Sequence, residues 1–519
     1  MSAADEPLDP ESAATEARVR ALLKPSGSLD RVRARLDAGH APHAHPESRP
    51  HDLWVASGLV AAAAVLFLVL LDAAPPEPPR SVSGSKDQPD LPASGEEPKP
   101  PKPFSEADVR RLVALLADEN PEVREQASQA LSFHLRQPGV GRAFLPLLKE
   151  LLERNEDLDA RARLQSLIAY WTPGLPRWSV DIEGLQSLGS LSVQGGWVYV
   201  STGGNRGIQT FDTASGKFLW SFPNHLVESE PAISEGLVFI NATGKKPNSA
   251  LVALEAQTGT EVWRQTTGGG DSSPLVVNGR VYCATWSGTF LACNSKTGEK
   301  IWDAQIGPSA FSAPAWAQGL IVVGLREGGA VALDAETGAE RWRFNILKKC
   351  GVTPLVAGER VFVAGDEGIF ALNLADGKRV WAAEGPSMWR NEFAYRNGML
   401  IHLGAKGRLR ALDAKTGHER WRQELGGSMF AGPIVLGETI LAGTRHGGAL
   451  AAFDVATGAR HWTAACNGCS GLAVSGDLAF VASSDNKLHA IYTGLSAPED
   501  WPMPGGNPAR SGSVERTAP

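Results

Sequence analysis

The stretch Leu333–Trp342, LDAETGAERW, decides how this chain folds, because versions of it return along the sequence. They end at tryptophans that follow one another at intervals of 39 to 43 residues. A period of about 40 residues, kept over about 300 residues, predicts a repeat architecture. The eight tryptophans of this regular series are Trp178, Trp220, Trp263, Trp302, Trp342, Trp381, Trp421 and Trp462.

One repeat, residues 307–345, predicts four short strands. The runs SAPAWAQ, GLIVVGL, AVALD and ERWRF are separated by glycine-rich turns. Four antiparallel strands are typical of one β-propeller blade. In the last turn, we expect the aspartate to accept backbone hydrogen bonds and the glycine to adopt a left-handed conformation. Across the repeats, the predicted turn residues are Asp212, Gly216, Gly259, Gly298, Asp334, Gly338, Gly377, Asp413, Gly417, Asp454 and Gly458.

We predict that the regular tryptophans pack between neighbouring blades. A flat ring on the outer strand of a blade fills the wedge beside the next blade and buries roughly 150–250 Å². Stacking on a cofactor is the alternative role. Packing is favoured because contacts between repeats recur in every repeat, whereas a ligand site does not.

The two ends of the repeat region predict how the ring closes. The last repeat, residues 470–493, supplies three strands and lacks the phrase that ends in tryptophan. The missing G-x-x-x-W spacing occurs at Gly174–Trp178, before the first complete blade. Pairing the two ends would remove exposed sheet edges. We therefore expect a mainly β fold with eight blades, in which the N-terminal strand completes the last blade.

The phrase ALDAxTGxxxW, as in Ala332–Trp342 and Ala411–Trp421, resembles the repeat of pyrroloquinoline-quinone-like (PQQ-like) β-propellers. The resemblance covers residues 174–493. That family includes quinoprotein alcohol dehydrogenases, non-catalytic BamB-type propellers of outer-membrane assembly, and sensor domains of membrane kinases. The resemblance implies a fold, and a fold does not fix a function.

The catalytic branch of this family implies a quinone held between a tryptophan and a disulfide of adjacent cysteines, with calcium bound by Glu, Asn and Asp. The chain has no Cys-Cys dipeptide, and its blades are minimal in length. We therefore expect no catalytic residue, no cofactor and no metal site, and classify the chain as a non-enzyme. The alternative is a PQQ- and calcium-dependent oxidoreductase, or a small-molecule or redox sensor, that uses the central channel. The candidate channel residues are Cys350, Trp389, Arg390, Asn391 and Glu392.

The remaining cysteines predict structure more than chemistry. Cys283 and Cys293 stand at apolar strand positions and are expected in the core. Cys466 and Cys469 form a C-x-x-C pair in the loop that enters the last blade. We expect a local disulfide or loop thiols there. A redox-active dithiol is the alternative, but the strand–helix setting of such sites is absent.

The N-terminal part predicts a membrane anchor. Residues 53–71 are an uncharged run long enough to span about 30 Å of hydrocarbon. Residues 1–52 would be a cytoplasmic arm, with histidines expected to be solvated, and residues 72–104 a proline-rich extended linker. A weak excess of arginine before the run places the N-terminus in the cytoplasm and the propeller outside the inner membrane of a bacterium.

Between linker and propeller, residues 105–172 predict a small all-α module. Ser105 and Asp108 form a capping box, and Pro121 opens the next helix. The NPEVREQASQAL stretch resembles a HEAT-type repeat. Residues 494–519 are predicted to be a C-terminal tail that straps the surface around Trp501.

Composition restricts the function. The formal net charge is −7, and no basic stripe favours nucleic acid as a partner. The hypothesis that remains is a membrane-anchored, extracytoplasmic protein of the cell envelope. It would act as a protein-interaction module or scaffold. Its partner would be an envelope protein or peptide.

Overall fold

The computed structural model describes residues 104–497, apart from short internal segments. The predicted arm, the span at 53–71, nearly all of the linker, and Trp501 lie outside the described residues. Within the described part of the chain, no helix is long and apolar enough to cross a membrane. The internal segments outside the description are 137–139, 186–188, 204–205, 244–248, 271, 308–312, 327, 347–352, 366, 385–391, 428–430, 446–448 and 465.

Within the described residues, four helices precede the sheets. They are α1 (Glu106–Leu115), α2 (Pro121–Leu135), α3 (Val140–Arg154) and α4 (Leu158–Tyr170). The predicted starts of α1 and α2 are confirmed: Ser105 and Asp108 form the capping box, and Pro121 is the first residue of α2. The helices share an apolar core, which includes Val109, Leu116, Leu131, Leu148 and Leu164.

The rest of the described chain is an eight-bladed β-propeller of four-stranded antiparallel sheets. The predicted fold class is confirmed in this respect. Blades 1 to 4 contain β2 (Ser190–Gln194), β3 (Trp197–Ser201), β4 (Ile208–Asp212) and β5 (Phe218–Phe222); β6 (Ala232–Ser234), β7 (Leu237–Ala242), β8 (Ala250–Glu255) and β9 (Glu261–Thr266); β10 (Leu275–Val277), β11 (Arg280–Ala284), β12 (Thr289–Asn294) and β13 (Lys300–Gln305); and β14 (Ala315–Ala317), β15 (Leu320–Gly324), β16 (Ala330–Asp334) and β17 (Glu340–Phe344).

Blades 5 to 8 repeat the pattern, with one exception at the end. They contain β18 (Leu355–Ala357), β19 (Arg360–Gly365), β20 (Gly368–Asn373) and β21 (Arg379–Ala383); β22 (Glu392–Arg396), β23 (Met399–Gly404), β24 (Arg408–Asp413) and β25 (Glu419–Glu424); β26 (Ile434–Leu436), β27 (Thr439–Gly443), β28 (Leu450–Asp454) and β29 (Arg460–Thr463); and β30 (Gly471–Ser475), β31 (Leu478–Ala482), β32 (Lys487–Tyr492) and β1 (Pro176–Asp181). A 3₁₀ turn, Ala405–Gly407, joins β23 to β24.

The exception confirms the predicted closure. β1 pairs antiparallel with β32, and blade 8 has the order β1-β32-β31-β30. Trp178 therefore belongs to the last blade. The ring has no open edge between its first and last strands, where an unpaired row of backbone groups would favour pairing with another chain.

Strand order gives the propeller two different faces. The first strands of neighbouring blades lie against one another, so they are innermost and the fourth strands are outermost. Because each blade is antiparallel, the turns between strands two and three lie at the same end as the loops that lead to the next blade. We call this end the loop face, and the opposite end, which carries the D-x-x-T-G turns, the turn face.

The helices join the propeller directly at blade 8. The Trp171 ring, just after α4, meets Tyr492 of β32 edge-on with 5.2 Å between centroids. Arg177 of β1 lies over the rings of Tyr170 and Tyr492, at 3.5 and 4.2 Å from their centroids. Burial lowers the pKa of Arg177 to about 10, so it is still a cation at neutral pH. The seam therefore combines aromatic packing with cation–π contacts.

Candidate functional site

Each regular tryptophan lies against a glycine of the following blade. Seven of these glycines have φ between +68° and +78°, and an added Cβ would come within 3 Å of the tryptophan ring. Only glycine gives both the left-handed turn and room for the ring. The pairs are Trp178–Gly216, Trp220–Gly259, Trp263–Gly298, Trp302–Gly338, Trp342–Gly377, Trp381–Gly417, Trp421–Gly458 and, at the closing blade, Trp462–Gly174.

The indole N–H groups make a second contact with the next blade. In seven of the eight pairs, Nε1–H donates to a backbone carbonyl at 2.7–3.2 Å. The tryptophans thus occupy packing positions with their polar atom satisfied, and they lie on the outer strands, away from the central channel. The accepting carbonyls belong to Thr213, Ala256, Ser295, Ala335, Leu374, Ala414 and Val455.

The turn aspartates organise the turn face. Asp334 accepts the backbone N–H groups of Glu336 and Thr337, and Arg341 donates to its second oxygen at 2.6 Å. These hydrogen bonds, with that of Arg341 foremost, lower the pKa of Asp334 to about 2. Asp212, Asp413 and Asp454 accept from the backbone of their own turns in the same way.

On the loop face, buried serines and an asparagine fix the connecting loops. Ser201 donates to the carbonyl of Ser229 at 2.7 Å, and Ser192 donates to that of Pro231 at 2.6 Å. The Asn241 amide reaches the carbonyls of Ser272 and Ala284. The loops that lead from blade 1 to blade 2 and from blade 2 to blade 3 are therefore held by hydrogen bonds from side chains of the first two strands.

The predicted channel residues are only partly within the description. Cys350, Trp389, Arg390 and Asn391 lie outside the described residues. Glu392 begins β22, the innermost strand of blade 6. The structure thus places Glu392 at the inner edge of the loop face, and the other four remain a prediction.

Near the inner strand of blade 6 lies a buried polar pair that the sequence pattern did not predict. His402 and Arg410 are 0% and 5% exposed, and Arg410 donates to the carbonyl of Glu384 at 2.8 Å. Their nearest nitrogens are 3.4 Å apart. Burial, with the charge of Arg410 second, lowers the pKa of His402 to about 3. His402 is therefore neutral at neutral pH and is not poised as a general base.

A second missed network lies in blade 8. The third-strand position of Arg410 in blade 6 corresponds to His489 in blade 8, whereas most other blades have an apolar residue there. His489 contacts Ser179 of β1 through Nδ1 at 2.7 Å and Ser483 through Nε2 at 3.0 Å. Ser483 also donates to Asp485. Burial lowers the pKa of His489, and Ser483 is fully buried, so this serine–histidine–aspartate group ties the closing strand in place and is closed to a substrate.

Of the two expectations for Cys466 and Cys469, a local disulfide or loop thiols, the structure has the free thiols. The two sulfurs make separate contacts. Cys466 Sγ accepts the N–H of Leu450, whereas Cys469 is buried against Gly443 and its Sγ donates to the carbonyl of Gly471. Burial raises the pKa of both thiols, which disfavours the thiolate that redox chemistry needs. Cys283 and Cys293 are buried in the core as predicted.

An exposed tryptophan outside the regular series projects from the loop face. Trp286, in the turn after β11, is 41% exposed. The backbone N–H of Trp286 donates to the carbonyl of Gly269 at 2.8 Å, which holds the backbone in place while the ring stays accessible. Its break with the 40-residue spacing was the available signal in the sequence. Tryptophan is one of the residue types enriched at binding hot spots.

The described residues do not fit a quinone and its calcium. The C-x-x-C thiols are separated by two residues and engaged elsewhere, so they cannot supply the adjacent-cysteine bridge that the resemblance implies. Within the described segments, no group of three or more His, Cys, Asp or Glu side chains is arranged to hold a metal ion.

The fold and its repeated tryptophan–glycine pairs define a PQQ-like β-propeller. The model of the family described as outer membrane protein assembly factor BamB matches residues 227–311 and 307–493, which is just over half of the chain. The chain therefore belongs to that family.

Two curated relatives have the same description. That of Burkholderia pseudomallei is 26% identical over 245 residues, which cover 41% of this chain and 60% of the relative. That of Xanthomonas campestris pv. campestris is 30% identical over 286 residues, covering 42% of this chain and 70% of the relative. The chain thus spans between about three fifths and seven tenths of these proteins.

Two solved structures share the fold. BamB from Moraxella catarrhalis aligns with a TM-score of 0.52 and 17% identity, over 61% of this chain and 99% of that chain. A quinohemoprotein alcohol dehydrogenase from Comamonas testosteroni aligns with a TM-score of 0.53 and 16% identity, over 63% and 77%. At these identities the likeness concerns the fold alone, and it includes an enzyme as well as an assembly factor.

Proposed function

We propose that this protein is a non-catalytic interaction module of the bacterial cell envelope that binds a protein partner through the loop face of its propeller. The observation that carries the proposal is membership of the family described as an outer membrane protein assembly factor. The loop face supports it, since it offers the exposed ring of Trp286, whose backbone N–H is hydrogen-bonded to Gly269. The lowered histidine pKa values and raised thiol pKa values also favour binding over catalysis.

Site-specific crosslinking in cells tests the partner. A photoreactive amino acid replaces Trp286 on the loop face, and a matched chain carries it at exposed Lys415 on the turn face. We expect Trp286 to capture a component of the outer-membrane assembly machinery and Lys415 to capture none. Equal capture from both positions, or capture of cytosolic proteins alone, would contradict the proposal.

We further propose that residues 53–71 anchor the chain in the inner membrane with the propeller outside the cytoplasm. The support is the uncharged length of that run and the proline-rich linker after it. Protease added to intact spheroplasts should remove the propeller and leave a fragment of about 8 kDa, the mass of residues 1–71 at the chain's mean of about 0.11 kDa per residue. Full protection of the propeller would refute this topology.

A further inference from the structure

The helical module contains a polar groove that the loop-face proposal does not use. Two stripes face each other across it: Ser128, Ser132, Leu135 and Arg136 on α2, and Arg163, Ser166, Leu167 and Tyr170 on α4. The spacing of three and four residues puts each stripe on one side of its helix. The groove encloses about 110 Å³ and ends at Trp171. That volume accommodates several waters or one small ionic group.

The groove is rich in hydrogen-bond donors that the protein itself leaves unused. Within the described residues, the hydroxyls of Ser128, Ser132 and Ser166 make no hydrogen bond to the protein. Arg136 has no carboxylate within 4 Å in that same part of the chain, and its guanidinium lies 4.9 Å from the centre of the Tyr170 ring.

The charges around the groove leave a local positive excess. Arg163 is already paired with Glu125 and Asp159, at 3.0 and 3.1 Å. Behind Tyr170, Arg177 is a second cation, which Asp477 partly offsets, and within the described residues its buried Nη2 has no hydrogen-bond partner. Arg136 and Arg177 thus place two positive charges beside one aromatic ring.

We propose that the groove between α2 and α4 binds a carboxylate group from an acidic segment of a partner protein. The planar guanidinium of Arg136 matches the two oxygens of a carboxylate, and the serine hydroxyls supply further donors. The apolar walls, Leu135, Leu167 and Trp171, suit the methylene groups that carry the carboxylate. A phosphoryl group carries close to two negative charges and would call for more than one accessible, unpaired guanidinium. In the described lining of the groove, Arg163 is paired and Arg136 alone meets this condition, so a carboxylate is the better match. This site is separate from the loop face and does not depend on the function proposed for it.

The test uses the full chain in detergent and a fluorescein-labelled hexaglutamate peptide, followed by fluorescence anisotropy at low salt. We expect saturable binding that Arg136→Gln weakens at least 10-fold. Ser132→Leu, which fills the groove and keeps every charge, should weaken it similarly. The matched control is Arg154→Gln, since Arg154 is an exposed arginine of the same module at the far end of α3. It should stay within about 2-fold of the wild type.

Several outcomes would overturn the proposal. Absence of saturable hexaglutamate binding would do so, as would equal binding of a hexaglutamine peptide. Equal losses in Arg136→Gln and Arg154→Gln would mean non-specific attraction between charges. Displacement by inorganic phosphate at far lower concentration than by acetate would identify a phosphoryl site. Melting temperatures of the three variants, measured alongside, separate lost binding from lost folding.

Discussion

At the scale of single residues, the regular tryptophans hold neighbouring blades together. Trp342 is 7% exposed, contacts Gly377 of the next blade, and donates its indole N–H to the Leu374 carbonyl at 2.7 Å. Its removal therefore costs both buried apolar area and a hydrogen bond. Trp286 is a useful contrast, since it has the same chemistry in an exposed position.

We expect Trp342→Ala to lower the free energy of unfolding by about 3–5 kcal/mol. Trp286→Ala should lower it less, by about 1–2 kcal/mol, because the side chain is 41% exposed. Urea unfolding followed by circular dichroism measures both. Equal losses in the two variants would argue against packing as the role of Trp342.

A buried histidine predicts sensitivity to acid. His402 has a pKa of about 3 when folded and an ordinary value of 6.5 when unfolded. Between these pH values the unfolded chain binds a proton that the folded chain does not, so stability is full above pH 6.5 and falls as pH falls. The slope is about 1.4 kcal/mol per pH unit. The pKa of His489 is also lowered, so His489 likewise makes the protein less stable as pH falls. The turn carboxylates of Asp334 and Asp413 have pKa values of about 2, so their contribution to stability is lost only below their ordinary pKa of 3.8.

His402→Val introduces the residue that blades 4 and 5 have at the same strand position. The variant should lose about 2 kcal/mol less stability than the wild type between pH 6.5 and 5. Unfolding by urea at the two pH values gives the difference. His418→Asn, in an exposed turn, is the control and should keep the wild-type slope. An unchanged slope in His402→Val would contradict the assignment.

At the scale of elements, the turn between the third and fourth strands is the part that repeats most faithfully. Gly377 has φ of +68°, and a Cβ there would lie 2.6 Å from the Trp342 ring. Gly358, in the turn between β18 and β19, has φ of +57° and open space where its Cβ would be. The two glycines separate backbone strain from packing against tryptophan.

Gly358→Ala should cost about 1–2 kcal/mol, since alanine disfavours the left-handed region. Gly377→Ala should cost that amount plus the displacement of the Trp342 ring, a further 1–3 kcal/mol or so. Thermal and urea unfolding of both variants would show the difference. Indistinguishable losses would mean that the ring moves freely aside.

The difference between repeated turns and individual loops explains which features the sequence predicted well. Strands, turns and blade number follow from a pattern repeated along the chain, so each repeat supports the others. The polar pairs of His402 and of His489 occur where single blades depart from the pattern, and their partners come from other strands and loops. The sequence left a disulfide and loop thiols both open at Cys466 and Cys469, because C-x-x-C spacing sets only how far apart the backbones are. It does not set which way each sulfur turns.

At the scale of the whole molecule, closure depends on one strand from the far end of the chain. β1 completes blade 8, and Ser179 with His489 adds a side-chain contact to the backbone pairing. Tyr492 and Trp171 connect the same blade to the helices. The closing blade is therefore both the junction of the ring and the attachment point of the module before it.

Truncation tests this arrangement. A chain that begins at Thr172 retains β1 and should be a monomeric, folded propeller with a lowered melting temperature, since the aromatic seam is lost. A chain that begins at Glu183 lacks β1 and exposes the edge of β32, so it should form oligomers or aggregates. Size-exclusion chromatography with light scattering compares them. A monomeric chain from Glu183 with the same melting temperature would show that β1 is dispensable.

The pairing of β1 with β32 has a consequence for biosynthesis. Ser179 and His489, which meet across that pair, are 310 residues apart in sequence. At about 5–20 residues per second, the ribosome completes this interval in roughly 15–60 s. The earliest strand of the propeller is thus the last to find its neighbour, and during that time it is available to chaperones and to unwanted partners alike.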